Sequence, residues 1–339
     1  MIERARRLAI IQPLPGIGDM IWHLPHIRAL TRHFGVSATV ITKPRSAADQ
    51  FLTQDDGVAD IMWLDRNPEG RKGRHDGPLG FLRFALELRA RAFDTVVLLH
   101  HSHTLAFLTM VAGIRDRYGY GYGLQRFFLN HPARVPADLL ALHQFQRATL
   151  FLRDAGIPLA DPEPRLAIQP QARAAALARL GLNSHGFIAM GIGSSETSRQ
   201  WGAERFADLS GSLLDAGWEH IVLVGGTAEA DMARDIRQRL GTRADRIVPA
   251  IGWGLAEVAA LCAEAAFYVG NNTGAMNIAA AAGTRTYSLF GDVPPFHHAA
   301  SIVPIVTPPG AVRGMAGITL GAVLDAVRGD RGGLAPTGR

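Results

Sequence analysis

The stretch from Ala265 to Val293, AAFYVGNNTGAMNIAAAAGTRTYSLFGDV, decides the fold class. Phe267 to Val269 is a short apolar run that stops at Gly270, as a buried strand does. Gly274 to Ala282 is nearly all Ala, Met and Ile with no breaker inside, which predicts a helix buried against a sheet. Thr286 to Phe290 is a second strand, closed by a second glycine turn at Gly291. The helix opens at Asn272 and Thr273, both candidate N-caps, so its first turn presents free backbone N–H groups and the positive end of the helix dipole. Such a helix start is a seat for an anion, most usefully a phosphate; the same pattern also fits an ordinary capped core helix.

The same alternation runs through the rest of the chain. Leu8 to Gln12 is apolar and leads through Pro-Leu-Pro-Gly-Ile-Gly into a helical pattern over Asp19 to His33. Strands are expected at Ala38 to Ile41, Ile61 to Leu64 and Thr95 to Leu99, and helices at Ala47 to Leu52, Leu79 to Ala90, Thr104 to Ala112 and Ala137 to Asp154. After a proline-rich passage, strands at Phe187 to Met190 and His220 to Val224 alternate with helices at Ala203 to Asp215, Glu229 to Leu240 and Leu255 to Ala265. Strands that lack polar alternation and are separated by helices form a parallel sheet covered on both faces. The reading is therefore α/β with two doubly wound domains: residues 1–157, a linker region over 158–185 that includes a helix at Gln171 to Leu180, residues 186–330, and a tail over 331–339. Two such halves leave a cleft at the carboxyl ends of their strands, where these sheets bind ligands.

Composition agrees with a globular protein: 47% of the 339 residues are hydrophobic and 19% charged. The formal charge of +5 is carried almost wholly by Arg, with Lys only at Lys43 and Lys72, and favours polyanionic partners or an anionic membrane face. A single cysteine, Cys262, rules out an intrachain disulfide and points to a cytoplasmic setting. Arg4, Arg6 and Arg7 precede an apolar run as in a signal peptide, but Gln12, Pro13 and Pro15 interrupt it, so it reads as a first strand. The longest uncharged apolar run, Thr104 to Ile114, is too short to cross a bilayer.

Several polar residues stand where chemistry is expected. Asp19 follows Gly16 and Gly18 at the mouth of the first strand and reads either as a general base or as a helix cap. No acidic residue follows the second strand, so a nicotinamide fingerprint is incomplete. Gly193, Ser194 and Ser195 with Arg199 form a second anion-binding pattern or a solvated loop. Glu229 could bond a ribose or complement a helix dipole. His100, His101 and His103 cluster after a strand, but no Asp, Glu or Cys follows closely, so they read as polar lining rather than a metal site. Tyr118, Tyr120, Tyr122, Phe127 and Phe128 are acceptor-side contacts or packing.

Taken in order, PGIGDMIWHLPHIRAL, FDTVVLLHHSHTLAFL, GSSETSRQWGAERFADL, HIVLVGGTAEA and VGNNTGAMNIAAAAGTRTYSLFGDVPP resemble glycosyltransferase family nine, the ADP-heptose lipopolysaccharide heptosyltransferase group. The resemblance implies the GT-B architecture, two facing Rossmann-like domains with the acceptor on the N-terminal side and the nucleotide sugar on the C-terminal side. It implies inverting sugar transfer without a metal or cofactor, with a nucleoside diphosphate sugar, an ADP-sugar favoured, as co-substrate. Asp19 matches the base of the family's Gly-Asp motif, with Gly18 and the three histidines on the acceptor side. Arg199 falls where the family has a phosphate-binding Lys, Glu229 near its ribose-binding acid, and Thr273 and Gly274 on its diphosphate turn. Two positions depart: Asn272 stands for the usual Asp and Asn277 for the usual His. A neutral amide thus replaces the carboxylate that grips donor hydroxyls.

The leading expectation is a glycosyltransferase acting on a cell-envelope glycan or glycolipid such as lipopolysaccharide core, cytoplasmic and peripheral at an anionic membrane surface, with no nucleic-acid partner. A noncatalytic nucleotide-sugar or glycan-binding protein on the same fold is the alternative, against which Asp19 argues. A sugar-nucleotide epimerase would need further acids in the cleft.

Overall fold

The computed structural model describes residues 7–295 and 299–329. Arg4 and Arg6 of the basic start and the expected tail over 331–339 lie outside the described residues. The chain divides into two compact units between Pro164 and Arg165. No helix among the described residues is long and apolar enough to cross a membrane.

The first unit carries strands β1 (Leu8–Gln12), β2 (Ala38–Thr42), β3 (Val58–Trp63), β4 (Thr95–Leu98) and β5 (Asp116–Gly119). They form one sheet in the order β3-β2-β1-β4-β5, parallel throughout. Helices α1 (Ile17–Phe34), α2 (Gly77–Ala90), α3 (His103–Val111) and α4 (Gln144–Asp154) complete it. β1, entirely buried, lies at the centre. α1 ends where Gly35 turns left-handed at φ 73°, a backbone only glycine adopts freely.

The second unit begins with α5 (Pro170–Leu180) and carries β6 (Phe187–Gly191), α6 (Ala203–Asp215), β7 (His220–Gly225), α7 (Ala230–Arg239), β8 (Ile247–Ile251), α8 (Leu255–Glu264), β9 (Tyr268–Asn271), α9 (Gly274–Ala281), β10 (Thr286–Gly291), β11 (Ile302–Val306) and α10 (Leu320–Gly329). Its sheet is parallel in the order β11-β10-β9-β6-β7-β8. α5 packs along α8 with ion pairs Arg173–Glu264 and Arg179–Glu257, so it is a helix of this unit. α10 closes the same unit against α6 and β11. Phe206, Trp201, Phe267 and Tyr287 sit in its core.

Each sheet has the doubly wound order, and each reverses direction once: between β1 and β4, and between β6 and β9. The helix α9 and the strands β9 and β10 of the stretch from Ala265 to Val293, and α8 before it, lie where the residue pattern puts them. Three expectations are corrected. Ala47 to Leu52 is not a helix but part of two 3-10 turns, Pro44–Ser46 and Ala48–Gln50, parted by Ala47 at φ 49°. A segment this short does not repay helix nucleation. The helix expected over Ala137 to Asp154 is broken at His143, whose ring accepts the Phe145 N–H while Gln146 accepts the His143 N–H, so a fresh helix starts at Gln144. Glu229 ends a 3-10 turn, Thr227–Glu229, rather than opening α7. Three strands are absent from those expected, β5, β8 and β11. All three are edge strands, and β8 and β11 each carry a proline, Pro249 or Pro304, that an inner strand could not hold.

Candidate active site

In doubly wound sheets ligands gather at the carboxyl ends of the strands where the order reverses. In the first unit these are the loops after β1 and β4. The β1 loop runs into α1, and Asp19 is the third residue of that helix. Its Oδ2 accepts the Gly16 N–H at 3.1 Å, and its Oδ1 accepts the side-chain amide of Gln144 from α4. Asp19 thus serves as a cap and still holds its carboxylate at the strand mouth, half-buried. Burial raises its pKa above the ordinary value; the Gly16 N–H, the Arg147 guanidinium and the Gln144 amide oppose that rise without cancelling it.

One turn on, His23 Nδ1 lies 2.7 Å from the Asp19 carbonyl oxygen. A carbonyl only accepts, so Nδ1 carries the hydrogen. Full burial pushes the His23 pKa down to about 4, and the ring is neutral near pH 7. After β4, Ser102 N–H donates to His100 Nδ1 at 3.1 Å, and the His100 and His101 rings stack with centroids 4.4 Å apart. Burial, then His101 and Arg147, push His100 down to about 3; burial and Arg147 also lower His101. His103 is the first residue of α3, and Gly18 lies in the first turn of α1. Among the described residues no group of three or more His, Cys, Asp or Glu side chains is disposed to hold a metal ion.

Two residues of this half-site were not read from the sequence, Gln144 and Arg147. Both come from α4, which packs on α1. Arg147 donates to the Leu140 carbonyl at 3.2 Å, while its charge reaches Asp19, His23, His100 and His101. The one hint was a Gln and an Arg three apart on a helix with a strong apolar stripe. Of the aromatic group, Tyr120 is core and packs on Phe151, and Tyr118 stacks on His131. Tyr122 and Phe127 are exposed.

In the second unit the loops after β6 and β9 meet the equivalent reversal. β6 and β9 approach so closely that a Cβ on Gly270 would stand 2.4 Å from the Gly191 carbonyl oxygen. At the end of β9, buried Asn271 donates to the carbonyls of Ile192 and Gly193, each at 3.1 Å, and to Gln200 Oε1 at 2.9 Å. Its Oδ1 accepts the Trp201 N–H at 3.2 Å. Asn271, also missed by the sequence reading, therefore fixes the β6 loop that bears Gly193, Ser194, Ser195 and Arg199.

Within that loop Ser194 Oγ donates to the Glu196 carbonyl at 2.7 Å and accepts the Glu196 N–H. Arg199 closes a 3-10 turn and pairs with Glu196 at 3.1 Å. Glu229 accepts the Gly226 N–H at 2.8 Å and lies against Gly193, where a Cβ would meet its carboxylate at 3.3 Å. Thr273 is the N-cap of α9, but its side chain makes no cap bond, contrary to the expected capping. Its backbone is extended, φ −141° and ψ −176°. Asn277 donates its amide to the Thr273 carbonyl at 2.9 Å, leaving Oδ1 buried without a partner among the described residues. The first-turn N–H groups of α9 are thus not taken up by a side-chain cap at Thr273. Every residue assigned to an anion or a sugar falls in the second unit, and Asp19 with the histidines falls in the first.

Comparison with known proteins gives three findings. The model of the family described as glycosyltransferase family 9 (heptosyltransferase) matches residues 81–305. Lipooligosaccharide heptosyltransferase 2 of Haemophilus influenzae is 26% identical over 267 residues, covering 72% of this chain and 76% of that protein. Two solved structures share the fold. The glycosyl transferase family 9 protein of Veillonella parvula aligns with a TM-score of 0.78 at 20% identity over 95% of this chain and 96% of that one. The E. coli ADP-heptose LPS heptosyltransferase II aligns with a TM-score of 0.75 at 20% identity over 95% and 98%.

Proposed function

The chain belongs to glycosyltransferase family 9, the heptosyltransferase family, with the GT-B type of α/β fold; from that premise we propose that it is an inverting, metal-independent glycosyltransferase. It moves heptose or a related sugar from a nucleoside diphosphate, ADP favoured, to a hydroxyl of a cell-envelope glycan such as the lipopolysaccharide core. The observation that carries the proposal is the Asp19 carboxylate, held by two neutral donors at the mouth of β1 with its pKa raised by burial.

In this reading the acceptor oxygen attacks the anomeric carbon and its proton passes to Asp19. The bond from that carbon to the diphosphate breaks with inversion, and its electron pair leaves on the diphosphate. Arg199 and the N–H groups at Thr273 and Gly274 receive the charge that develops there, so their contacts strengthen in the transition state. Gly193, Ser194 and Ser195 line the donor loop, Glu229 takes a ribose hydroxyl, and Asn272 and Asn277 meet the sugar side of the donor. Gly18, His100, His101 and His103 line the acceptor side, where Arg147 favours an acidic or phosphorylated acceptor. Work on an envelope glycolipid places the protein in the cytoplasm, peripherally at an acidic bilayer face.

The test is a donor screen by mass spectrometry with ADP-heptose, other ADP-sugars and UDP-sugars against lipopolysaccharide core acceptors. Transfer from an ADP-sugar is the expected result. Asn277 spends its amide on Thr273, and Asn272 is neutral where the family has an acid, which favours a noncatalytic sugar-nucleotide binder as the second reading. That reading requires thermal stabilisation by ADP-sugars with no product in the same screen.

A further inference from the structure

The outward faces of α2 and α3 are apolar where a solvated helix is ordinarily polar. Of the eleven exposed large hydrophobic side chains among the described residues, nine lie between Leu79 and Phe127, so the exposure is concentrated in one layer of the first unit. On α2 the inward residues are Gly80, Phe84, Ala85 and Leu88, and a second stripe of Leu79, Leu82 and Leu86 faces out, Leu79 being 81% exposed. α3 packs beside α2 over a shared core and turns Phe107, Met110 and Val111 outward. Patches of this kind on a soluble domain mark a contact surface.

Charge identifies the contact. The loop entering α2 reads Arg71, Lys72, Gly73, Arg74, and all three of its basic residues are exposed. Arg74 pairs with Glu87 of α2, and Arg83 of α2 donates to the Arg74 carbonyl at 3.3 Å, so this basic loop lies along the leucine stripe. The acids nearby are already engaged: Glu87 also meets His75 at 3.1 Å, and Asp76 accepts the N–H groups of Asn67 and Gly73. Farther along, Arg126 lies over the exposed Phe127 ring, 4.8 Å from its centroid. Leucines and phenylalanines rimmed by arginines whose stems can lie along them suit an interface with an apolar interior and an anionic surface.

We propose that the α2–α3 layer docks on an anionic lipid bilayer, its apolar side chains entering the acyl boundary and Arg71, Lys72, Arg83 and Arg126 meeting the headgroups. Pairing of two copies through the same face is disfavoured, because it would bring two basic surfaces together. The inference names the surface for the membrane association proposed above. Its test reads binding without donor or acceptor, so it can fail while the transfer reaction stands, and the reverse.

The test is co-sedimentation of the full chain with vesicles of equal parts phosphatidylcholine and phosphatidylglycerol, and with phosphatidylcholine alone. Binding to the acidic vesicles only, weakening as salt is raised, is expected. Replacing Arg71 and Lys72 together with Ser should lower partitioning by roughly 30-fold, the effect of two basic side chains at an acidic surface. The pair Leu82→Ser and Leu86→Ser should lower it by about tenfold or more. All four side chains are exposed, and an unchanged circular dichroism spectrum with an unchanged melting temperature shows that the fold is kept. The proposal is overturned if the wild-type chain stays in the supernatant with acidic vesicles, or if the variants bind as it does. It is also overturned if sedimentation velocity shows a dimer that the leucine variants dissolve, without vesicle binding.

Discussion

Gln144 donates its side-chain amide to Asp19 across 125 residues of sequence, and the Gly16 N–H takes the other carboxylate oxygen. Both bonds stabilise the ionised form, as does Arg147, while burial opposes it. Removing Gln144 by Gln144→Ala, or the charge by Arg147→Met, should therefore raise the Asp19 pKa further. The acid limb of the rate profile should move to higher pH, with the plateau at high pH less affected. A pH–rate profile unchanged in both variants would show that neither residue acts on Asp19.

Asp19→Asn keeps the size of the side chain and removes its basicity. Turnover should fall by roughly 10²–10⁴-fold, the ordinary contribution of a positioned base. Affinity for the nucleoside diphosphate, read by calorimetry, should hold. Loss of that affinity with turnover preserved would place Asp19 outside the chemistry.

Arg199 pairs with Glu196 on the surface, a contact of small value that a diphosphate can displace. Arg199→Ala should weaken ADP binding by about tenfold or more, the worth of a charge-assisted hydrogen bond, and leave the acceptor KM in place. Calorimetry with ADP checks the first part and acceptor titration at saturating donor the second.

Asn271 gives its whole amide to the β6 loop, so Asn271→Ala strands buried acceptors and should cost about 1–3 kcal/mol in urea unfolding. Asn271→Asp should cost more, because a carboxylate there would face the Ile192 and Gly193 carbonyls. ADP binding should weaken with either substitution. A variant as stable as the parent would show that the loop is held by other contacts.

His23 bears on stability. Its pKa is about 4 in the folded protein against 6.5 for an unperturbed ring, so the unfolded chain binds the extra proton first on acidification. The stability this ring contributes is present above pH 6.5 and is lost as pH falls from there through about 4. Urea midpoints should drop between pH 7 and pH 5, and His23→Gln should show a smaller drop over the same interval. An equal drop would assign the acid sensitivity to other groups.

The parts of the fold that were legible are those whose signal is local. β1, β6, β9 and β10 are uniformly buried runs ended by glycine or proline, and α6 and α9 carry their periodicity within one segment. β8 and β11 were not legible, because an edge strand needs neither an unbroken apolar run nor every N–H, and each contains a proline. The start of α4 was misread because His143 breaks a pattern whose composition is helical on both sides.

Sequence alone determined the alternation of strand and helix, the glycine turns and the placing of Asp19, Arg199, Glu229 and Thr273 at the ends of strands. Those features follow from backbone sterics and from the side-chain period within a few residues. Tertiary structure alone decided which side chains touch Asp19, that His23 and His100 are neutral, and that Asn271 from the end of β9 holds the β6 loop. Such properties depend on burial and on partners brought from elements 70 to 125 residues away, and no short window of sequence contains them.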